Sequence, residues 1–295
     1  MNILVTGAKG QLGTELLKCL ENGGTELGKL RFSDYAFKGI DFDELDISKA
    51  EDVFNYIKIG GYDVVINCAA MTNVDKCETE QDAAYLANSL GVRNLAIACE
   101  EVSAKFLHVS TDYVFGGDES LPRREWDRTN PQSVYGASKL LGERYAAEFC
   151  TRYFIVRTAW LYGYTGGNFV KTMLRVMREN GRAKVVDDQR GNPTNAADLA
   201  HHILKLLPTR DYGVYHGTGS GECSWYGFTK KIAEFSGIDA EITPCTTAEF
   251  PRPAKRPAYS SLDNMAFRSG VGDEFRGWED ALRSFLQNYD KEGNI

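Results

Sequence analysis

The feature that most constrains the fold is the stretch VTGAKGQLG, in which three glycines follow the first apolar run of the chain. Gly7, Gly10 and Gly13 form a GxxGxxG pattern between a predicted strand at 3–7 and a predicted helix at 11–22. In such a turn the first glycine permits a tight bend, the second admits a diphosphate, and the third allows close helix–strand packing. The helix N-terminus offers free N–H groups to phosphate oxygens. The pattern therefore predicts a βαβ unit that binds a dinucleotide.

Short apolar runs alternate with amphipathic segments through the first half of the chain. Strands are predicted at 3–7, 30–33, 64–70, 105–111 and 153–158, and helices at 11–22, 49–58, 82–101 and 133–149. Nearly continuous apolar strands are typical of parallel sheets that are buried on both faces. Repeated strand–helix–strand order requires right-handed crossovers. The predicted fold class is α/β, a Rossmann-type doubly wound parallel sheet with a smaller, discontinuous C-terminal substrate domain.

After residue 160 the pattern becomes less regular. It predicts helices at 168–180, 196–207 and 224–237, a strand at 213–219, and extended coil over 244–262, which contains four prolines. A chain of 295 residues can hold one large α/β domain with a smaller appendage. We therefore assign 1–161, completed by 183–219, to an NAD(P)-binding Rossmann domain. The smaller substrate-binding domain is assigned to 162–182 and 220–295.

Charge and hydropathy exclude several classes of function. The net charge is −7, with basic and acidic residues interspersed, so the sequence predicts no nucleic-acid partner. No apolar stretch approaches membrane-spanning length, which predicts no membrane partner. The strand predicted at 3–7 leaves no room for a signal peptide, and we expect a cytoplasmic location.

Cysteine and histidine usage predicts no metal site. The seven cysteines are scattered singly without a CxxC pattern, as expected for reduced thiols in a cytoplasmic protein. The four histidines form no HExxH motif. His201 and His202 are adjacent, so on a helix they point about 100° apart.

An acidic residue follows the second predicted strand. Asp34 lies about 20 residues past Gly13, where a carboxylate can accept a hydrogen bond from a ribose hydroxyl. A carboxylate there repels a 2′-phosphate and favours NADH, whereas Arg31 and Lys9 could compensate and admit NADPH. We therefore expect either cofactor to be usable.

Tyr135 and Lys139 lie four residues apart in the predicted helix 133–149, so their side chains point the same way. This spacing alone also fits two ordinary surface residues. Thr111 ends the fourth predicted strand, and in an open α/β sheet ligands bind in the crevice at the carboxyl ends of the strands. The three side chains together fit acid–base chemistry at that crevice.

Six stretches, taken with the glycine turn, resemble successive signatures of one protein family. They are STDYVF (110–115), YGASK (135–139), INCAAMTNVDKCE (66–78), RTAWLYG (157–163), VVDDQRGNPT (185–194) and RPAYSSLD (256–263). Taken in chain order they resemble the dTDP-4-dehydrorhamnose reductases, a branch of the extended short-chain dehydrogenase/reductases that act on nucleotide sugars. The resemblance implies an oxidoreductase of dTDP-rhamnose biosynthesis, for cell-surface polysaccharide, that reduces a 4-keto group with NADPH or NADH.

The resemblance implies Thr111, Tyr135 and Lys139 as the catalytic set, with Tyr135 as proton donor. A tyrosine hydroxyl has an ordinary pKa near 10, and a neighbouring ammonium lowers it. We expect Lys139 to supply that ammonium and also to hold the nicotinamide ribose. Ser110 is the alternative active hydroxyl, although strand alternation should turn it away from the crevice.

The resemblance also implies residues that bind the cofactor and the nucleotide sugar. The cofactor set is Gly7, Gly10, Gln11, Leu12, Gly13, Asp34, Asp46, Ile47, Ala69, Ala70, Met71, Thr72, Tyr135 and Lys139. The substrate set is Thr111, Asp112, Trp160, Asn168, Gln189, Arg256 and Tyr259, with Arg190 as a further candidate for the diphosphate. The smaller domain is thereby expected to bind the nucleotide sugar.

Alternatives stay open at this point. A nucleotide-sugar 4,6-dehydratase would carry Asp-Glu after the Thr, whereas Tyr113 follows Asp112 here. An epimerase, which must retain NAD and let the sugar rotate, is a second alternative. A reductase of another 4-keto deoxysugar shares every motif, and a non-catalytic regulatory subunit like that of methionine adenosyltransferase shares the fold. Some family members dimerise through acidic residues and Mg²⁺. Glu15, Asp187 and Asp188 could support such a homodimer, in which Mg²⁺ is not required for the chemistry.

Overall fold

A computed structural model describes residues 1–118 and 120–291 and shows a six-stranded sheet at its centre. Its strands are β1 (Asn2–Thr6), β4 (Ala36–Ile40), β5 (Val64–Asn67), β6 (Lys105–Thr111), β7 (Tyr153–Thr158) and β12 (Gly213–His216). The spatial order is β12-β7-β6-β5-β1-β4, and each neighbouring pair is parallel. The predicted doubly wound α/β fold is therefore confirmed.

The remaining elements connect these strands or build a smaller unit. The helices are α1 (Gln11–Asn22), α2 (Ala50–Gly60), α3 (Val74–Thr79), α4 (Gln81–Tyr85), α5 (Gly91–Glu101), α6 (Val134–Phe149), α7 (Phe169–Asn180), α8 (Ala196–Leu206), α9 (Trp225–Ser236), α10 (Met265–Ser269) and α11 (Trp278–Lys291). A π-helical turn (Leu86–Leu90) joins α4 to α5, and 3-10 turns cover Asp112–Val114 and Thr247–Glu249. Short strands are β2 (Gly24–Thr25), β3 (Gly28–Lys29), β8 (Leu161–Tyr162), β9 (Arg182–Val186), β10 (Arg190–Gly191), β11 (Thr194–Asn195), β13 (Cys223–Ser224) and β14 (Glu241–Cys245).

Local sequence sets the helix limits at several positions. The Ser133 hydroxyl accepts a hydrogen bond from Gly136 N–H and begins α6, and the Ser224 hydroxyl accepts from Gly227 N–H and begins α9. Gly237 adopts φ +67° and ends α9 in the left-handed region. In these helices the predicted and observed ends agree within one residue.

The second strand of the main sheet lies elsewhere than the sequence indicated. Residues 30–33 form no strand; Leu30 and Phe32 are apolar because they pack against the core from a loop. The strand is β4, which pairs with β1 at the edge of the sheet and exposes most of its residues. An exposed edge strand lacks the continuous apolar run by which buried strands are recognised.

Two apolar cores cover the faces of the main sheet, and a third lies in the smaller unit. The third core joins Leu174 of α7, Phe228 of α9 and Phe285 of α11 with Val185 of β9, which pairs with β14. Residues 183–186, which the sequence assigned to the Rossmann domain, thus pack with the smaller unit. Phe267 and Phe275, assigned to the smaller domain by sequence, pack instead with Leu199 of α8 in one of the two cores that cover the main sheet.

No helix in the described part of the chain is long and apolar enough to cross a membrane.

Candidate active site

A cleft of about 1460 Å³ runs along the carboxyl ends of the central strands and reaches the smaller unit. The glycine turn lines one end, Thr111, Tyr135 and Lys139 line the middle, and Trp160 and Arg256 lie toward the other end. This is the edge at which open parallel sheets bind ligands. Motifs that are far apart in the sequence therefore line one continuous cleft.

The glycine turn is shaped for close approach of a phosphate group. Gly7 adopts φ +66°, and a Cβ there would lie 2.6 Å from Ala69 N. A Cβ on Gly13 would lie 2.3 Å from the Gly7 carbonyl oxygen. Gly10 begins α1 without a side-chain cap, so the first-turn N–H groups of the helix keep their hydrogen-bonding capacity for a ligand. Gln11 and Leu12 belong to that turn and line the cleft.

The acidic residue at the second strand is Asp41, and the prediction of Asp34 for this position is wrong. Asp34 precedes β4, and its carbonyl accepts a hydrogen bond from the N-terminal ammonium at the amino-end edge of the sheet. Asp41 follows β4 directly and lines the cleft. The prediction failed because the strand is β4, at Ala36–Ile40, and Asp41 is the acidic residue that follows its carboxyl end at the crevice. Arg31 instead pairs with Glu274, away from the cleft.

Two loops after the central strands lie where the sequence placed them. Asp46 and Ile47 line the cleft in the loop between β4 and α2. Ala69, Ala70, Met71 and Thr72 line it after β5. Asn88 of the π-helical turn, which the sequence did not indicate, accepts from Met71 N–H at 2.8 Å and donates to the Met71 carbonyl at 3.0 Å. A continuous helix was expected there, and the extra residue in the turn brings this amide to the loop.

Thr111, Asp112 and Tyr135 form a connected polar group. The Thr111 hydroxyl donates a 2.8 Å hydrogen bond to Asp112 Oδ1 and interacts with the Tyr135 hydroxyl. Burial raises the pKa of Tyr135 above its usual value, while the Thr111 hydrogen bond opposes the rise. Burial likewise raises the pKa of Asp112 to about 6. Asp112 Oδ2 is buried and has no hydrogen-bond partner, so it is free to accept from a ligand hydroxyl.

Lys139 is buried, and its contacts differ from the expected one. Its Nζ donates to the Val109 carbonyl at 2.6 Å and lies 3.3 Å from His108 Nε2. Burial lowers the pKa of Lys139 to about 8, while the nearby Glu143 carboxylate raises it. The sequence predicted that Lys139 lowers the pKa of Tyr135. In this structure burial dominates the Tyr135 pKa and Lys139 is not among its causes.

Trp160 lines the cleft in a strained conformation. It adopts φ +47°, which is rare for a bulky residue and recurs at functional sites. Its indole stacks on Trp225 with 3.4 Å between ring centroids and donates to the Ser260 hydroxyl at 3.2 Å. Trp225 was not predicted, because a Trp at the start of a helix carries no signal of a partner 65 residues earlier.

The remaining predicted substrate residues separate into two groups. Asn168, Gln189 and Arg256 line the cleft, and Arg256 pairs with Asp75 at 3.0 Å. Asn168 also donates to Gln11 Oε1 at 2.9 Å and so joins the smaller unit to the glycine turn.

Tyr259 and Arg190 lie outside this cleft. Their prediction as substrate residues is therefore corrected by the structure. The Tyr259 hydroxyl donates to Glu222 at 2.6 Å and lines a second cavity, and Arg190 pairs with the same carboxylate at 3.2 Å. The segments of Tyr259 and Arg190 also pair backbone to backbone in a parallel bridge. Ser110 does line the cleft, although strand alternation suggested that it would face away.

Metal ligation was not expected from the sequence. Within residues 1–118 and 120–291 no group of three or more His, Cys, Asp or Glu side chains is arranged to hold a metal ion. Asp187 accepts from the Ser224 hydroxyl and Asp188 from the Thr247 hydroxyl, and Glu15 lies 3.5 Å from Lys18. A Mg²⁺-bridged dimer through these residues stays a prediction.

A parallel doubly wound sheet, a glycine turn and a Thr–Tyr–Lys set in one cleft define a short-chain dehydrogenase/reductase. Comparison with known proteins identifies the family within this class. The family model described as the RmlD substrate binding domain matches residues 1–291, and the chain belongs to this family. The predicted membership in the dTDP-4-dehydrorhamnose reductase branch is thereby confirmed.

Individual relatives are similar over nearly their whole length. A Bacillus subtilis protein named spore coat polysaccharide biosynthesis protein SpsK is 40% identical, covering 97% of this chain and 96% of the relative. A solved dTDP-4-dehydrorhamnose reductase from Clostridium acetobutylicum is 44% identical with a TM-score of 0.93, covering 98% and 100%. A Bacillus anthracis dTDP-4-dehydrorhamnose reductase solved with NADP is 39% identical with a TM-score of 0.91, covering 97% and 99%.

Proposed function

We propose that this protein reduces the 4-keto group of dTDP-4-dehydro-L-rhamnose with NADPH or NADH and releases dTDP-L-rhamnose. The observation that carries the proposal is the meeting of Thr111, Tyr135 and Lys139 in the cleft that continues to the glycine turn. The names of the Clostridium acetobutylicum and Bacillus anthracis relatives support the same reaction.

The cofactor fits the glycine end of the cleft. The first-turn N–H groups of α1, which have no side-chain cap, would bind the diphosphate beside Gly7 and Gly10. Asp41 takes the role that the sequence assigned to Asp34 and would accept from the adenosine ribose, with Asp46 and Ile47 beside the adenine. Ala69, Ala70, Met71 and Thr72 would flank the cofactor in the middle of the cleft. When bound, NAD(P)H supplies the hydride.

Tyr135 would donate the proton that the developing alkoxide requires. Its raised pKa keeps the phenol protonated at neutral pH, so the proton is available when charge appears on the substrate oxygen. The Thr111 hydroxyl donates its single proton to Asp112 in this structure and would turn it to the substrate oxygen on binding, which would orient that oxygen beside Tyr135. Lys139 would bind the nicotinamide ribose and stabilise the tyrosinate after proton transfer.

The other end of the cleft fits a nucleotide sugar. Asp112 has a buried carboxylate oxygen without a partner and would accept from a sugar hydroxyl. The indole of Trp160 would stack against the sugar ring. Asn168, Gln189 and Arg256 would bind the nucleotide and its diphosphate, with the Arg256 guanidinium as the ionic partner.

A substrate panel tests the proposal directly. The purified protein is mixed with dTDP-4-dehydro-L-rhamnose and either NADPH or NADH, and cofactor absorbance is followed. We expect absorbance to fall with this substrate and dTDP-L-rhamnose to appear by chromatography. Turnover with only another 4-keto nucleotide sugar would reassign the substrate. Inactivity with every 4-keto sugar would favour a regulatory subunit.

A second candidate is a reductase of another 4-keto deoxysugar. The observation that favours it is the Bacillus subtilis relative, whose name refers to spore coat polysaccharide and not to rhamnose. The same panel separates the two, because only the substrate differs. If the sugar were epimerised without net consumption of reduced cofactor, the protein would be an epimerase.

Cytoplasmic location and homodimerisation stay predictions. Cell fractionation tests the first. Light scattering with and without chelator tests the second, and an unchanged mass would exclude a metal-bridged dimer.

A further inference from the structure

A chain of four buried polar side chains leads from the glycine turn to Lys139. Thr6 ends β1, Asn67 ends β5, His108 lies within β6, and Lys139 lies on α6; each is at most 2% exposed. The Thr6 hydroxyl donates to Asn67 Oδ1 at 2.7 Å, and Asn67 Nδ2 lies 3.1 Å from His108 Nδ1. His108 Nε2 lies 3.3 Å from Lys139 Nζ. This row of hydrogen bonds reaches the active site at Lys139.

The backbone decides the direction of these hydrogen bonds. Ala69 N–H lies 3.2 Å from Asn67 Oδ1, and a backbone N–H can only donate. This contact fixes the amide of Asn67 with its oxygen toward Ala69 and Thr6. Asn67 Nδ2 therefore points its N–H at His108 Nδ1, which must accept. The ring is then neutral and carries its proton on Nε2, because an imidazolium would place N–H against N–H.

The Nε2–H tautomer directs a donor at Lys139 Nζ. A neutral amine can accept that hydrogen bond with its lone pair, whereas an ammonium cannot. The Val109 carbonyl accepts from Nζ in either state, at 2.6 Å, and does not discriminate. We propose that His108, held as the Nε2–H tautomer by Asn67, is a positioning residue that sets the protonation of Lys139.

Other charged and titratable side chains near Lys139 also affect its charge state. Glu143, one turn later on α6, favours the ammonium, but Arg157 of β7 binds its carboxylate at 2.7 Å and weakens this effect. The Cys68 thiol faces Lys139 from the loop after β5. Burial and Lys139 lower the pKa of His108 well below its usual value, in agreement with a ring that stays neutral. The pKa of Lys139, lowered to about 8, is close enough to neutrality for a neighbour to move its charge state.

The consequence for the reaction rests on the proposed function. Lys139 as ammonium would stabilise the Tyr135 tyrosinate, so a donor that favours the neutral amine limits activity on the alkaline side. His108 would then determine the pH at which the alkaline limb of kcat/KM begins. The tautomer itself can be measured without turnover.

The first experiment measures the His108 tautomer and the titration of Lys139 in the whole protein. Long-range ¹H–¹⁵N spectra resolve the protonated nitrogen of each imidazole, and the chain has only four histidines. We expect His108 to be Nε2–H and neutral from about pH 6 to pH 9. A lysine ¹³Cε label, with Lys139→Met for assignment, should show Lys139 titrating near pH 8. A His108 that is Nδ1–H or doubly protonated would overturn the proposal.

The second experiment reverses the tautomer with one substitution. In Asn67→Asp a carboxylate oxygen replaces Nδ2, so His108 must donate from Nδ1 and Nε2 must accept from Lys139. We expect the Lys139 titration and the alkaline limb of kcat/KM to rise together by about one pH unit. Thr6→Val is the matched control, because Ala69 N–H still fixes the amide of Asn67 and the tautomer should not change.

The outcomes separate this proposal from the assigned reaction. A reversed tautomer with an unmoved Lys139 titration would overturn the role of His108, whatever the activity. The tautomer and the titration shift could be as expected in a protein that is inactive on dTDP-4-dehydro-L-rhamnose. This result would support the role of His108 and contradict only the proposed substrate. If Asn67→Asp does not fold, the tautomer of the natural protein still decides the proposal.

Discussion

The Asp41 carboxylate accepts a 3.0 Å hydrogen bond from Lys9 N–H, and this contact joins the end of β4 to the glycine turn. The other oxygen of Asp41 accepts from Phe42 N–H at 2.8 Å. Both oxygens are thereby held at the edge of the cleft, where the ribose of a dinucleotide would lie.

Asp41→Asn should reduce the preference for NADH. A carboxylate accepts from ribose hydroxyls and repels a 2′-phosphate, so its loss removes both effects. We expect the KM for NADH to rise roughly tenfold, as for one charge-assisted hydrogen bond, with the KM for NADPH unchanged or lower. Steady-state kinetics with both cofactors measures this. Asp34→Asn is the matched control and should change neither value; a loss of NADH binding in that variant would restore the original assignment.

Tyr135→Phe should abolish most turnover while the protein still binds the cofactor. The substitution removes the phenolic proton and little else, and general acid catalysis contributes about 10²–10⁴-fold. We expect kcat to fall by about that factor and the Kd of NADPH to change less than about threefold. Cofactor fluorescence titration and steady-state assays provide the two numbers. A Tyr135→Phe variant with a near-normal rate would exclude Tyr135 as proton donor.

Asp112→Asn should change the free energy of unfolding more favourably above pH 6 than at lower pH. Burial raises the folded-state pKa of Asp112 to about 6 from 3.8, so ionisation at higher pH opposes folding. Through this group alone, the free energy of unfolding of the natural protein falls as pH rises through that window, by on the order of 2–3 kcal/mol. Urea unfolding of both proteins near pH 4 and pH 7.5 measures the difference. A difference that does not depend on pH would show that Asp112 is not buried as a raised-pKa carboxyl.

Gly191→Ala should displace Trp160 from the cleft. A Cβ at Gly191 would lie 2.6 Å from Trp160 Cε2 and Nε1, and the stack on Trp225 limits how the indole can move aside. We expect the KM for the nucleotide sugar to rise about tenfold, with the Kd of NADPH unchanged, because the sugar end alone is altered. The near-ultraviolet circular dichroism of the stacked indoles should weaken in parallel.

Gly277→Ala is the matched control for that substitution. Its Cβ would meet only an Asp280 carboxylate oxygen at 3.6 Å, an ordinary contact. A loss of sugar binding in both variants would mean that stability, and not the position of Trp160, controls the KM.

Several parts of the fold and site follow from local sequence. The glycine turn is readable because Gly7 adopts φ +66° and a Cβ on Gly13 would lie 2.3 Å from the Gly7 carbonyl oxygen. Ser133 likewise begins the helix that carries Tyr135 and Lys139. Buried parallel strands such as β5, with Val64, Val65 and Ile66 in succession, are readable because both of their faces are apolar. These features depend on residues within one or two turns of each other, so the sequence alone contains their determinants.

Only the tertiary structure decided the features that depend on pairing between distant segments. β4 is a strand because it pairs with β1, and this pairing moved the acidic residue of the cofactor site from Asp34 to Asp41. Tyr259 lies in the second cavity, where its hydroxyl donates to Glu222, 37 residues earlier in the chain. The direction of a hydrogen bond between Asn67 and His108, 41 residues apart, likewise has no signature in either local sequence. Sequence patterns report the preferences of a segment, whereas the partner of an exposed strand or a buried polar group is set by the packing of the whole chain.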